Sequence, residues 1–389
     1  MGKSAKEIKA EIWGSFFAEQ GRGSLLPVNG VTYAHLRQIR RKCNEGNLMK
    51  PLLNVLPSIL FLWIFSCIFQ SVAIYAEGLE YSTDARNAVP IPPAEKALTT
   101  AVATHLKKIS EKPNGLEGAV YDINGNLYFC EGVTNRIMKL DADDNLETVA
   151  QFDEFLPAGL AFHPDGRLFV TVLGDGLTKG AIFALNPENG AKEIILAPDE
   201  GYIPNDLAIN SKGGIYFTDF KGNMTNTAGG LHYISPDLKN ISTVVPNIAN
   251  ANGIAISPDE KTLWVGDYGR SILFRIDLED DVHIDRIHST PVYYFTGRGP
   301  DAIRTDSDGN AYVAMMSQGR VLVFNPRGLP IGQILLPGRE EGRNLYSSSL
   351  AIKPGARDIA ILARDMEGAG SNIFKSQAFA KGNINQSLN

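Results

Sequence analysis

The sequence predicts an all-β chain, a six-bladed β-propeller with four-stranded blades, preceded by an N-terminal signal or anchor segment. Two observations carry this. A unit beginning with a short apolar strand, a tight turn and a second β-rich strand recurs six times. The units start at Glu117, Ala158, Asn205, Asn252, Asp301 and Ser348, separated by 41, 47, 47, 49 and 47 residues. A period of forty to fifty residues without helical spacing is the mark of propeller blades, each too thin to bury both faces alone.

The elements follow in chain order. Residues 1–48 form a lead that either precedes the export segment or reflects a misassigned start. Residues 49–76 hold the apolar run "LPSILFLWIFSCIFQSVAIYA" behind the basic "RQIRRKC". A basic flank, an apolar core and small residues at "SVA" are the layout of a secretory signal, which the segment favours. Its length also suits a retained membrane anchor. A lipoprotein box ending at Cys67 is disfavoured by the bulky Phe65. In either main reading the body is exported, periplasmic or secreted, or is anchored with the propeller outside the cytoplasm. Membrane contact is then expected only through this segment, if it is not cleaved. Residues 77–100 read as a linker, and residues 101–389 as the propeller.

Bulk properties exclude several classes. The 389 residues carry a formal net charge of -6, and the body has no Lys/Arg cluster that would suit nucleic acid. Of the three cysteines only Cys130 lies in the body, so no internal disulfide and no Cys-based zinc site is expected. Nothing in the sequence indicates an oligomeric state.

Within each unit the turn is polar: "DINGN", "HPDGR", "NSKGG", "SPDEK" and "DSDGN" occupy one slot. The last lies in "GPDAIRTDSDGN", which resembles a calcium loop in composition. Aligned as an EF-hand, however, its first ligand position falls on Arg304 and its twelfth on Met315. It reads instead as a hairpin turn whose aspartates cap backbone amides. After it come strands such as "RIMKL", "AIFAL", "GLHYI", "ILFRI" and "RVLVF", then a variable fourth strand.

The chemistry is expected at the heads of the innermost strands, which line a propeller's channel at one height. Those heads are Glu117, Ala158, Asn205, Asn252, Asp301 and Ser348. Two carboxylates and two carboxamides, with no sulfur and no imidazole, suit Ca²⁺ held by Glu117, Asn205, Asn252 and Asp301. Mg²⁺ is less suited, because it keeps more of its own water. Asp206 is placed behind Asn205, while Asp219 and Asp267 read as turn caps. His163 and His232 receive no catalytic role. A calcium ion with open positions supports hydrolysis of an ester, lactone or phosphotriester. No G-x-S-x-G elbow, phosphate loop or dinucleotide fingerprint is present.

Over roughly residues 100–385, the stretches "DGRLFV", "SKGGIYFTDFKG", "ANGIA", "VYYFTGRGPD", "SQGRVLVFNPRGLPIGQILLPGREEG" and "FAKG" resemble the SMP-30/gluconolactonase/luciferin-regenerating-enzyme-like family. The resemblance implies a calcium-dependent lactonase acting on a small-molecule lactone. It also implies that Glu117, Asn205, Asn252 and Asp301 hold the ion and that Asp301 acts as acid and base. The alternatives are a calcium-dependent phosphotriesterase or other esterase, and a non-catalytic ligand-binding propeller.

Overall fold

In a computed structural model, residues 89–384, apart from Ala369, are described. The expected N-terminal lead, the expected signal or anchor segment and the first half of the expected linker, residues 77–88, lie outside the described residues. Six sheets are arranged as the six units require. Blade one is β3 (Leu116–Tyr121), β4 (Leu127–Glu131), β5 (Arg136–Leu140) and β6 (Leu146–Gln151). Blade two is β7 (Leu156–Phe162) to β10 (Lys192–Leu196), and blade three is β11 (Pro204–Ile209) to β14 (Ile241–Ile248). Blade four is β15 (Ala251–Ile256) to β18 (Thr290–Tyr294), and blade five is β19 (Pro300–Thr305) to β22 (Pro330–Leu335). Blade six takes β23 (Tyr346–Ile352), β24 (Asp358–Asp365) and β25 (Gly370–Gln377) from the C-terminal end.

Closure comes from the other end of the chain. Strand β2 (Thr104–Ser110) pairs antiparallel with β25 and becomes the fourth strand of blade six. Just before it, β1 (Thr99–Val102) runs parallel to β22 as a fifth strand of blade five. The β2 pairing removes the exposed edge that β25 would otherwise present. The lead-in is held by charge as well: Glu95, 3% exposed, forms an ion pair with Arg320 and accepts the Tyr293 hydroxyl.

The core is divided among the seams between blades, because strand alternation sends neighbouring side chains to opposite faces. On β4, Tyr128 and Cys130 pack toward blade two with Leu160 and Val170. Leu127 and Phe129 pack toward blade six with Leu362 and Ile373. Tyr312 and Ala314 on β20 (Ala311–Met315) likewise face blade six, while Val313 faces Trp264 of blade four. Each blade is thus a shared wall between two cores, and the ring is stable only when closed.

The polar turns are hairpins between the first two strands, as their composition suggests. In "DSDGN", the buried Asp306 accepts the amides of Asp308 at 3.0 Å and Asn310 at 2.9 Å, and the Tyr312 hydroxyl at 2.8 Å. Its carboxylate is therefore committed to the turn. Gly309 takes φ +80, which a β-carbon would strain.

Candidate metal centre

The innermost strands β3, β7, β11, β15, β19 and β23 pack against one another in a closed ring. All six carry the same irregularity near the head. Pairing to the second strand slips between Glu117 and Val120, Pro157 and Leu160, Pro204 and Leu207, Ala251 and Ile254, Pro300 and Ile303, and Ser347 and Ser349. Bulges of this kind turn side chains away from the ladder and often border functional sites. The expected site residues Glu117, Asn205, Asn252 and Asp301 all fall within these slips, on blades one, three, four and five.

Adjacent heads also approach closely through their backbones. A β-carbon on Gly253 would lie 2.1 Å from the Asp301 carbonyl oxygen, and one on Gly118 would lie 2.4 Å from that of Ala158. Glycine at these two positions lets the heads converge. Side chains complete the ring: the Thr171 hydroxyl takes the Gly159 amide and donates to the Asn205 carbonyl. Ser348 donates to the Leu116 carbonyl, and Ser349 accepts the Ala119 amide at 2.9 Å. Ala158 and Ser348, the two heads not assigned as ligands, thus have structural surroundings.

The electrostatics of the heads are those of crowded negative charge. Burial pushes the Asp301 carboxyl up to about 8, against a hydrogen bond from Asn252; Asp206 raises it further and Arg364 lowers it. Burial likewise holds Glu117 well above the usual carboxylate range, with Asp301 adding to the rise and Arg364 opposing it. Asp301 is 5% exposed and Asn252 6%. Among the described residues no three His, Cys, Asp or Glu side chains make a metal cluster by themselves. This donor set is half carboxamide, and it is short of positive charge. Oxygen-only donors and two carboxylates that repel one another fit a hard divalent cation, which would relieve the repulsion.

Two further residues belong to the channel. Asp206 accepts the amides of Leu207 at 3.0 Å and Ile254 at 3.3 Å, and pairs with Arg304 at 2.9 Å. Arg304 also donates to the Ala119 carbonyl at 3.3 Å, so one guanidinium ties blades one, three and five. The signal for both lies in the aligned units. Asp206 stands where the others have Gly118, Gly159, Gly253, Ala302 and Ser349. Arg304 stands where they have Val120, Ala161, Ala208, Ala255 and Ala351. Burial raises the Tyr268 hydroxyl, the charges of Asp301 and Glu117 add to the rise, and Arg298 opposes it.

The other polar candidates have local roles. Asp219 accepts the Ile203 amide at 2.9 Å, and Asp267 accepts those of Arg270 at 2.8 Å and Ala249 at 3.1 Å. His163 bonds the Gly213 carbonyl at 3.1 Å, and His232 sits on β13 (Gly229–Ile234) stacked on Phe217. Cys130 is a buried free thiol.

Residues 116–342 match the family model described as the SMP-30/gluconolactonase/LRE-like region. Lactonase drp35 of Staphylococcus haemolyticus is 46% identical over 312 residues, covering 78% of this chain and 95% of the relative. Lactonase drp35 of Staphylococcus aureus strain USA300 is 44% identical over 310 residues, with the same shares covered. A solved structure of regucalcin, a calcium-binding protein from Agrobacterium tumefaciens, shares the fold with a TM-score of 0.59 at 16% identity, covering 74% of this chain and 99% of that one.

Proposed function

Because this chain belongs to the SMP-30/gluconolactonase/LRE-like family, we propose that it is a calcium-dependent lactonase, with the ion held by Glu117, Asn205, Asn252 and Asp301 in the central channel. The observation that carries the proposal is the pair Glu117 and Asp301. They are two carboxylates from blades one and five, Asp301 buried and Glu117 partly buried, each raised by desolvation, with the charge of Asp301 adding to the rise at Glu117. Such a pair is costly without a cation between its members.

Calcium held there supplies a fixed positive charge against the developing oxyanion of the lactone. The chain's own residues do the rest. Asp301 takes a proton from the attacking water as the water oxygen bonds to the lactone carbonyl carbon. The ring C–O bond then breaks, and the departing ring oxygen takes that proton back from Asp301, giving the hydroxy acid. The Asn252 amide hydrogen-bonds Asp301 and limits its orientation. Arg304 holds Asp206 behind the ring and offsets part of the charge that Asp206 turns on Asp301. The bulged heads are part of the propeller wall, which holds the groups without a mobile loop.

The test is proton release from γ- and δ-lactones by the purified protein, with Ca²⁺ and with chelator. Turnover that requires the ion supports the proposal. Equal turnover in chelator removes the metal from it, and no turnover of any lactone removes the activity.

A further inference from the structure

Several arginines of the blades are paired with carboxylates. Arg304 pairs with Asp206, Arg136 with Glu131, Arg270 with Asp267 and Arg343 with Asp365. Arg364 differs. It lies one residue from the end of β24, opposite Tyr346 at the head of β23. Its guanidinium lies over the Tyr346 ring, 5.3 Å from the centroid. Its Nη1 would stand 3.6 Å from a β-carbon at Gly115, two residues before Glu117. The side chain is half-buried, and it makes no hydrogen bond or ion pair among the described residues. It therefore lies at the head end of blade six, against the strand that carries Glu117.

The charge balance gives this placement a purpose. A divalent ion would be neutralised by Glu117 and Asp301, and Asp206 is neutralised by Arg304. Arg364 then leaves the loaded site one positive charge in excess, on a planar group whose donors are free. Stacking on Tyr346 restrains the guanidinium at small entropic cost, and a guanidinium with free edges is matched to a carboxylate.

We propose that Arg364, braced by Tyr346, anchors a carboxylate on the substrate, so that the preferred substrates are lactones bearing an acidic substituent. This rests on the lactonase reading for the reaction, but not for the binding. Arg364 is here a specificity residue, and the bond-breaking step is unchanged by it.

Two measurements on the full chain test it. The first compares kcat/KM for γ-butyrolactone and its γ-carboxy derivative, in the wild type and in Arg364→Gln and Arg364→Lys. The expected result is a preference for the acid that falls about tenfold in Arg364→Gln, through KM, and is partly kept in Arg364→Lys. The second uses calorimetry with no turnover: glutarate binding to the calcium-supplemented protein should weaken about tenfold in Arg364→Gln. In the same variant calcium itself should bind more tightly, because a like charge beside the ring has gone. A residue that merely supported the fold would weaken both ligands together. Wild type and Arg364→Gln with the same preference and the same glutarate affinity would overturn the proposal while hydrolysis of γ-butyrolactone still upheld the lactonase. Glutarate binding that depends on Arg364 in a protein that opens no lactone would uphold the anchor and overturn the lactonase.

Discussion

Arg304 and Asp206 meet at 2.9 Å across the channel, joining blade five to blade three behind the proposed ligands. Their side chains are 13% and 5% exposed, so the pair is exchanged for little solvent if broken. It acts as an internal strut, and through the Ala119 carbonyl it reaches blade one as well.

Removing one end of that strut strands the other. Arg304→Met is expected to lower stability by about 3–5 kcal/mol, because Asp206 is left buried without its counter-ion. The double variant Asp206→Asn with Arg304→Met should recover part of that loss. Denaturant midpoints of the two variants check this; equal losses would show that the pair carries no coupling.

Asp301 offers a separation of stability from activity. Asp301→Asn keeps the size of the side chain but cannot carry a proton between water and the ring oxygen. Turnover should fall by about 10²–10⁴-fold. The chelated protein should be no less stable than the wild type, since the cost of holding a proton on the buried Asp301 carboxyl has been removed. Lactone hydrolysis and a melting curve in chelator measure the two effects, and a variant with wild-type turnover would exclude Asp301 as the proton carrier.

The same carboxylates set a pH dependence for the chelated protein. Asp301, at about 8, stays protonated in the folded state where the unfolded chain has already lost that proton. The folded state therefore binds more protons between the ordinary aspartate range, about pH 4, and pH 8, and stability falls as pH rises across that window. Glu117 acts in the same direction. Calcium should flatten the slope by stabilising the ionised forms. Melting temperature against pH, with and without calcium, tests this; parallel curves would show that the ion does not bind these groups.

Closure of the ring gives a fourth expectation. Glu95→Gln leaves Arg320, 1% exposed, without its ion-pair partner, and should cost about 3–5 kcal/mol. A chain beginning after Ser110 loses β2 altogether and exposes the edge of β25, so it should aggregate or unfold. Soluble yield and thermal unfolding report both, and a stable truncated monomer would show that blade six closes without the N-terminal strand.

How much of this was visible in advance differs by feature. The six heads were legible because a repeated blade places equivalent residues at one height, so comparing units finds them without coordinates. Asp206 and Arg304 were legible in the same comparison as charged residues at slots that otherwise hold small or apolar ones, but their pairing was not. In a regular strand with a period of two, Asp301 and Arg304 would face opposite ways. The slip between Pro300 and Ile303 resets the alternation, so Ile303 enters the core with Trp264 while Arg304 turns into the channel.

By itself, then, the sequence determined the number of blades, their hairpin turns and the six positions that head the inner strands, because these depend on local pattern repeated along the chain. The tertiary structure alone decided which strand closes the ring, which arginine is neutralised and how far the carboxyl groups are raised. Thr104 and Lys375 are 271 residues apart, yet they lie side by side, and nothing local in "THLKKIS" names its partner. The pKa of Asp301 likewise belongs to no segment, since it arises from burial, a hydrogen bond from Asn252 and the charges of Asp206 and Arg364, which three other strands bring to it.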